Sequence, residues 1–276
     1  MKEEEIKKTV REGYARIAKQ GSCDCGSVSS CCGNTAAVQQ ISKSIGYTEQ
    51  ELNAVPEGSN LGLGCGNPVA LASLRKGETV IDLGSGAGFD CFLAAEKVGK
   101  TGRVIGVDMT PQMLEKAREN ARQGNYENVE FRIGEIENLP VADNSADIII
   151  SNCVINLVSD KNRVFKEAYR ALKLGGRLMV SDMVLLKELP DFIRNSVAAY
   201  VGCISGALMK DEYLGAIKSS GFQEVKVIDE TPFPIKYIAN DPTAKAIIDK
   251  SGISPEKMEE VSYSVVSIKV YGVKAN

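Results

Sequence analysis

The cysteines are the residues of this sequence whose number and spacing suggest chemistry. Four of the eight lie in one stretch, GSCDCGSVSSCCG, at positions 23, 25, 31 and 32. Three others, Cys65, Cys153 and Cys203, occur in the contexts NLGLGCGNP, SNCVINLV and YVGCISGALM. Thiolates bind soft metals and metalloids, form disulfides and act as nucleophiles. The eighth, Cys91, lies in FDCFLAA, where a small buried apolar side chain is the simplest interpretation.

The overall composition narrows the classes of function. The chain has 276 residues, no histidine and a formal net charge of −3. The usual general base and the commonest metal ligand are therefore missing, and no basic cluster suggests a nucleic-acid partner.

The start, MKEEEIKKTVREGYARIAKQ, predicts a charged amphipathic helix and lacks the apolar core of a signal peptide. No apolar run approaches the ~18 residues of a membrane span. We expect a cytoplasmic protein with no membrane partner, in which thiols stay reduced and serve binding or catalysis.

Strands and helices alternate through the middle of the chain. Short apolar runs predict strands, and the amphipathic stretches between them predict helices. This alternation is typical of α/β proteins, in which right-handed crossovers build a parallel sheet. We therefore expect an α/β fold with a Rossmann-like sheet and helices on both faces. The predicted strands are 79–83, 103–107, 129–133, 146–151 and 177–182, and the predicted helices are 88–98, 111–124 and 160–172.

The flanking segments are less regular. Residues 35–54 predict one helix that ends before Pro56, and Asn67 followed by Pro68 predicts another helix start. After the fifth strand we expect helices at 190–202 and 210–220, a strand at 222–229, and a long strand at the sheet edge at 261–274. We divide the chain into an N-terminal helical extension with the cysteine-rich loop (1–66), a nucleotide-binding Rossmann-like core (67–185) and a C-terminal region that completes the sheet and the site (186–276).

A glycine-rich turn follows the first predicted strand and reads Asp82-Leu83-Gly84-Ser85-Gly86-Ala87-Gly88. Glycines at such a turn let the backbone approach a ligand at a helix N-terminus. A dinucleotide-binding loop needs a small residue where this chain has Phe89, so that class fits badly. The turn resembles instead the first motif of class I S-adenosylmethionine (SAM) methyltransferases, whose acidic residue lies near the methionine ammonium.

Two further positions at strand ends continue this pattern. Asp108 ends the second strand, where a carboxylate can accept hydrogen bonds from both ribose hydroxyls, and Thr110 is expected to cap the next helix. Glu135-Ile136 resembles the adenine-binding turn, with the carboxylate accepting from the exocyclic amine and the Ile136 amide donating to the ring. These motifs predict SAM as cofactor. Its expected contacts are Asp82, Gly84, Ser85, Gly86, Gly88, Asp108, Met109, Met113, Glu135, Ile136, Asn152 and Val154.

Nearly the whole chain resembles the arsenite SAM methyltransferases. NLGLGCGNP, DLGSGAGFD, SNCVINLV, EAYRALKLGGRLMVSD and GCISGAL are all similar to motifs of that family, and the three cysteine contexts are its specific part. The resemblance implies that Cys153 and Cys203 hold trivalent arsenic as thiolates. It also implies that Cys65 and one cysteine of the N-terminal loop, Cys31 or Cys32, complete a redox-active set.

The resemblance implies a substrate, a fold and a partner as well. The fold is the class I methyltransferase sheet, the substrate is arsenite or its thiol conjugates in arsenic detoxification, and thioredoxin or another dithiol reductant restores the thiols. The chemistry is compatible with a chain that has no histidine. Trivalent arsenic is soft and suits thiolates, and thiolate-bound arsenic keeps a lone pair that can attack a sulfonium methyl without a base. The protein then acts mainly by positioning.

Other interpretations stay open from the sequence. A SAM-dependent C-methyltransferase of a quinone precursor has similar nucleotide motifs, but it needs a base and has no use for the three dispersed cysteines. A non-catalytic arsenic-sequestering protein has no need of a cofactor site. The four clustered cysteines, including Cys23 and Cys25, are poorly spaced for a zinc knuckle, since structural sites favour pairs separated by two to four residues. We favour a thiol-bearing loop that closes over the arsenic site.

Overall fold

A seven-stranded sheet forms the centre of the fold. The computed structural model describes residues 3–20, 32–190, 204–232 and 264–275. The sheet has the strand order β3-β2-β1-β4-β5-β7-β6, in which β1 to β5 are parallel and β7 is antiparallel to both β5 and β6. The α/β Rossmann-like class I sheet expected from the sequence is confirmed. The strands are β1 (Thr79–Leu83), β2 (Arg103–Asp108), β3 (Val129–Ile133), β4 (Ala146–Asn152), β5 (Leu172–Leu185), β6 (Gln223–Pro232) and β7 (Val265–Val273).

Helices cover both faces of this sheet. In the described part of the chain they are α1 (Glu3–Gln20), α2 (Cys32–Ser44), α3 (Glu49–Ala54), α4 (Pro68–Leu71), α5 (Phe89–Val98), α6 (Pro111–Gln123), α7 (Lys161–Ala171) and α8 (Lys210–Ser219), with a short 3₁₀ turn at Ile155–Leu157. Asn67 caps α4 through its side chain, as the Asn-Pro pair predicted. Among the described residues, no helix combines the length and the apolar character needed to cross a bilayer.

Alternate residues of the central strands fill two cores. Ile81 and Leu83 of β1 are buried in one core with Phe165 of α7, whereas Val80 lies in the other with Phe92 of α5. A strand that is buried on both faces needs this run of apolar side chains, which explains why β1 and β4 are continuous apolar segments. Each such side chain contributes about 1.5–3 kcal/mol when it is fully buried.

The single helix expected over 35–54 is wrong, because the segment forms α2 and α3 with a turn between them. Gly46 takes a φ of 107°, a left-handed conformation that ends α2. Thr48 then starts α3 with a capping box, in which its hydroxyl accepts from the Glu51 amide and the Glu51 carboxylate accepts from the Thr48 amide. Both signals, Gly46 and the spacing of Thr48 and Glu51, are present in the sequence.

The last strand is not at the sheet edge, which corrects a second expectation. β7 pairs on one side with β5, from Arg177 to Leu185, and on the other side with β6. Its residues are mostly buried, whereas β6 alternates between exposed and half-buried positions and forms the edge. This pairing also lengthens β5 beyond the expected 177–182. The helix expected at 190–202 lies largely outside the described residues, and the division into regions at 66/67 and 185/186 stays a prediction.

Candidate active site

The glycine turn after β1 approaches neighbouring groups closely on one side and is open on the other. The amides of Gly84 and Ser85 both donate to the carbonyl of Val107, at 2.8 and 3.0 Å, which holds the turn against β2. Gly84 has a φ of 70°, and a Cβ there would lie 2.4 Å from Val154. Gly86 has a φ of 52°, and a Cβ there would meet nothing within 4 Å. The backbone therefore presents an open face at Gly86 that a ligand can approach.

Asp108 joins the ends of β1 and β2. Its Oδ2 accepts from the amide of Gly86 at 3.0 Å, and its Oδ1 accepts from the amide of Thr110 at 2.8 Å. Thr110 is the N-cap residue of α6, as expected, but its side chain makes no capping hydrogen bond. The Thr110 hydroxyl bonds the Asp108 carboxylate instead. Burial raises the pKa of Asp108, and these hydrogen bonds oppose the rise.

Three carboxylates lie near this turn: those of Asp82 and Asp90 are buried, and that of Asp108 is half-buried. Asp82 is 2% exposed and accepts a hydrogen bond from the thiol of Cys91 at 3.2 Å. Burial raises the pKa of Asp82 well above its usual value, and the charges of Asp90 and Asp108 add to the rise. Burial likewise raises the pKa of Asp90 to about 6. Desolvation and mutual repulsion both make these charges costly in the absence of a cation.

This acidic cluster fits a cationic ligand. Among residues 3–20, 32–190, 204–232 and 264–275, neither Asp82, Asp90 nor Asp108 forms an ion pair with a lysine or arginine. The hydroxyl of Ser85 is buried without a hydrogen-bond partner beside the same turn. A ligand that carries an ammonium group and ribose hydroxyls, such as SAM, offers the missing cation and donors. The residues present therefore fit the expected cofactor.

The turn after β3 is tied to the first helix. Glu135 Oε2 lies 2.7 Å from Nζ of Lys7, and Arg11 lies 3.9 Å from Oε1. Lys7 is also 3.1 Å from Glu137, whose side chain is only 5% exposed. Glu135 was expected to accept from adenine, and α1 already engages part of its carboxylate. Ile136 is buried in the core beneath.

The thiols of Cys65 and Cys153 form the second half of the site. Their sulfur atoms and a carboxylate oxygen of Asp182 all lie within 4.8 Å of one another, and each residue is at most 8% exposed. Cys65 comes from the loop before α4, Cys153 follows β4, and Asp182 is inside β5. Adjacent parallel strands end at the same edge of the sheet, which explains how residues far apart in sequence meet.

Cys153 has an unusual backbone conformation. Its φ is 58°, a left-handed value that costs a non-glycine residue about 1–2 kcal/mol. The amide of Cys153 donates to the carbonyl of Ser181 at 2.8 Å, and this bond fixes the turn. Backbone strain of this kind often occurs at functional sites, where contacts with the surrounding structure hold the residue in its unfavourable conformation.

Asp182 is fully buried in a network of donors. It accepts from the hydroxyl of Tyr213 at 3.1 Å, the side-chain amide of Asn156 at 2.9 Å and the amide of Met183 at 3.0 Å. Burial raises the pKa of Asp182 to about 7, while these donors and the charge of Lys161 oppose the rise. Asp182 was not among the site residues expected from the sequence. Its one signal was an acidic residue within an otherwise apolar strand, in RLMVSD.

The first helix packs over the thiols. Val10 of α1 is 1% exposed and belongs to the apolar cluster that contains Cys65 and Cys153. Met109 and Val154, both expected at the cofactor, are half-buried against this cluster. Met113 is completely buried in α6. Val154 also lies against Gly84 of the cofactor turn, so it links that turn to the thiol pair beside α1.

Several predicted residues have no described side chain. Cys203 and Cys31 lie outside the described residues, as do Cys23 and Cys25. Cys32 is the first residue of α2, but its side chain is outside the described part. Asn152, expected at the cofactor, instead directs its amide to the loop that carries Cys65. Tyr47 and Asp90 share that network and were not among the residues expected from the sequence.

Comparisons with known proteins agree with this geometry. Residues 74–221 match the family model described as a methyltransferase domain. The chain is 48% identical over 231 residues to an arsenite methyltransferase of Halobacterium salinarum, covering 81% of this chain and 59% of that protein. It is 39% identical over 204 residues to an arsenite methyltransferase of Aquipseudomonas alcaligenes, covering 71% and 56%. It therefore spans less than two thirds of either relative.

A solved structure gives the same assignment. The chain is 30% identical to an arsenic(III) S-adenosylmethionine methyltransferase from Chlamydomonas reinhardtii, with a TM-score of 0.60, and the similarity covers 87% of this chain and 73% of that one. The methyltransferase model covers more than half of the chain and includes the glycine turn, Asp108, Glu135 and Cys153. The chain belongs to the class I SAM-dependent methyltransferases, in the family of the arsenite methyltransferases.

Proposed function

We propose that this chain transfers the methyl group of SAM to trivalent arsenic that is bound by the thiolates of Cys65, Cys153 and Cys203. Arsenite or its thiol conjugates would be the substrate, and methylated arsenite would serve as substrate for a further turn. The biological role would be arsenic detoxification. The relatives named above are arsenite methyltransferases, which supports the choice of substrate.

One observation carries the proposal, namely the convergence of the buried thiols of Cys65 and Cys153. A soft centre that bonds two thiolates at about 2.3 Å holds sulfur atoms no more than ~4.6 Å apart. The sulfur atoms of Cys65 and Cys153 lie within 4.8 Å of each other, so they need little movement to share one atom. Cys203, which lies outside the described residues, would supply a third thiolate.

The carboxylate cluster supports SAM as the methyl donor. When it is bound, the cofactor supplies a sulfonium methyl group. Asp82 and Asp90 would attract its ammonium, and Asp108 would accept from its ribose hydroxyls while it holds the open turn at Gly86. The thiolates of Cys65 and Cys153 would orient the arsenic lone pair toward the methyl. No proton leaves the nucleophile, so a chain without histidine can perform the step.

Turnover would also require a redox step. Methyl transfer uses the arsenic lone pair and raises arsenic from the trivalent to the pentavalent state. Two cysteine thiols can return those two electrons by forming a disulfide, with Cys65 and either Cys31 or Cys32 as the proposed pair. Thioredoxin or another dithiol would then reduce the disulfide by thiol–disulfide exchange.

Substitution of the thiols tests this function. Cys153→Ser and Cys203→Ser should each abolish arsenite methylation, because serine cannot provide a soft anionic ligand, while SAM affinity stays within about threefold of the original, or ~0.7 kcal/mol. Cys25→Ser is the matched control and should retain near-normal turnover. Methylated products would be measured over time with a dithiol reductant, and SAM binding by calorimetry. Near-normal turnover of either site variant would rule out the arsenic assignment.

The same assays separate the competing functions. A C-methyltransferase of a quinone precursor would be indifferent to Cys153→Ser on its own substrate and inactive on arsenite. A sequestering protein would bind arsenite but consume no SAM. The acidic cluster argues against sequestration alone, because a protein that only binds arsenic gains nothing from the costly burial of Asp82 and Asp90.

A further inference from the structure

The side chain of Asn152 links the two ends of the site. It is the last residue of β4 and directly precedes Cys153. Its Oδ1 accepts from the backbone amide of Cys65 at 3.0 Å, and its Nδ2 donates to the carbonyl of Gly66 at 2.8 Å. Two successive backbone groups of the thiol-bearing loop are therefore held by one side-chain amide.

The same amide reaches the acidic end of the site. Asn152 Nδ2 lies 3.0 Å from Oδ2 of Asp90 and 2.9 Å from the hydroxyl of Tyr47. That hydroxyl in turn donates to Oδ1 of Asp90 at 2.6 Å. Asp90 and Tyr47 are 8% and 3% exposed, so water cannot easily replace these partners. Asp90 stands next to Asp82, whose pKa it raises.

The surroundings of Asn152 are closely packed. A Cβ at Gly64 would lie 2.8 Å from the Asn152 amide, so only glycine lets the loop approach it this closely. Gly64 has a φ of 114°, which also favours glycine. On the far side, the ring of Tyr47 packs against Phe89 at 4.7 Å between centroids. The loop that carries Cys65, the Asn152 side-chain amide and the start of α5 are therefore packed closely together.

We propose that Asn152, assisted by Tyr47, is a positioning residue that fixes the Cys65 thiol relative to the acidic end of the site. The role in catalysis rests on the proposed function, because it is there that the distance between thiol and methyl donor matters. The sequence suggested a direct contact between Asn152 and the cofactor. In the structure, the amide oxygen and both amide hydrogens are already engaged by protein groups, which favours positioning.

The reactivity of individual thiols tests this role without arsenic. The full chain would be treated with iodoacetamide, and alkylation of the peptides that contain Cys65 and Cys91 would be followed by mass spectrometry. In the unaltered chain both thiols are buried and should react slowly. Asn152→Ala should raise the rate at Cys65 by about tenfold, the factor that corresponds to ~1.4 kcal/mol, and leave Cys91 unchanged. SAM affinity, measured by calorimetry, should change less than threefold.

A second, milder variant is needed in case Asn152→Ala destabilises the whole fold. Tyr47→Phe removes one hydroxyl and keeps the packed ring, so it should raise Cys65 alkylation about threefold, as expected for a single hydrogen bond. Tyr126→Phe is the matched control, since its hydroxyl bonds the Ala54 carbonyl and Glu96, away from Cys65, and it should have no effect.

Two results would overturn the proposal. If Tyr47→Phe and Asn152→Ala raise alkylation at Cys65 and Cys91 equally, the network merely supports the fold. If they weaken SAM binding by tenfold or more while Cys65 stays unreactive, Asn152 is a cofactor ligand. Failure of arsenite methylation in the unaltered chain would instead contradict the proposed function, and the alkylation result would be unaffected.

Discussion

Lys7 of α1 lies 2.7 Å from Glu135 and 3.1 Å from Glu137, and so clamps the first helix onto the turn after β3. Glu137 is nearly buried, with a side chain that is 5% exposed. Removal of the only described cation beside it would leave a buried carboxylate without its counter-charge. These ion pairs hold α1 against the turn where the adenine is expected, and the same helix packs over the thiol pair.

Lys7→Gln should therefore destabilise the protein and loosen α1. We expect a loss of about 1–3 kcal/mol in the free energy of unfolding, less than for a completely buried pair because Lys7 is 16% exposed. Lys8→Gln, one residue away, is the control: its pair with Glu12 is highly exposed and is worth less than ~1 kcal/mol. Urea denaturation gives the energies, and limited proteolysis reports cleavage within α1. Equal effects of the two substitutions would show that the clamp is not specific.

Asp108→Ala should weaken SAM binding by about 1.5–3 kcal/mol, the range for hydrogen bonds to a charged group. Arsenite affinity should stay nearly unchanged, because Asp108 lies at the cofactor end of the site. The same substitution frees the amides of Gly86 and Thr110, so part of the loss comes from a looser turn. Calorimetric titration with each ligand separates these effects. Asp147→Asn, at the opposite end of the sheet, serves as control, and a parallel loss of both affinities would indicate unfolding of the sheet edge.

The acidic cluster predicts that SAM binds more tightly as the pH rises. Burial raises the pKa of Asp90 to about 6, above the ~3.9 of an unfolded chain. The folded apoprotein therefore holds this proton more tightly, and the stability it contributes is complete below pH ~3.9 and is lost as the pH rises through about 6.

A cationic ligand reverses this cost, because it pairs with the ionised carboxylates. The dissociation constant of SAM should fall by up to about tenfold per pH unit between pH 5 and 6, as expected for one released proton. Asp90→Asn should flatten this dependence. Thermal shifts with and without SAM, measured from pH 5 to 8, provide the test, and a pH-independent affinity in the unaltered chain would contradict the prediction.

The cysteine-rich loop, which lies mostly outside the described residues, gives a further prediction. Changing Cys31 and Cys32 together to serine should impair methylation of arsenite, whereas changing Cys23 and Cys25 should do little. The first double change should affect methylarsonite less, since its arsenic already has a bond to carbon and needs only two thiolates. Product analysis on both substrates, with zinc content measured in parallel, distinguishes a thiol supply from a zinc knuckle. A knuckle predicts metal loss and equal destabilisation in both double variants.

The sequence by itself determined the parallel half of the sheet and the places where chemistry could occur. Runs such as TVIDL are apolar enough to be buried on both faces, and their period and spacing leave few other folds. Asp108 ends β2 and Asp82 is the last residue but one of β1, and parallel strands end together, so their proximity followed from local pattern. Local pattern placed the start of α6 at Thr110 but not the role of its hydroxyl, which bonds the nearby carboxylate of Asp108 and caps no amide of the helix.

Only the tertiary structure decided which groups surround the thiols. Tyr47 and Lys7 carry no signal in their own neighbourhoods, and Asp182 shows only an acidic residue in an apolar strand, because their roles depend on partners far away in the chain. The order β5-β7-β6 likewise came from pairing energy between distant strands, which no local propensity records. A buried carboxylate is tolerable only where folding brings it donors or a counter-charge, and those partners come from distant segments.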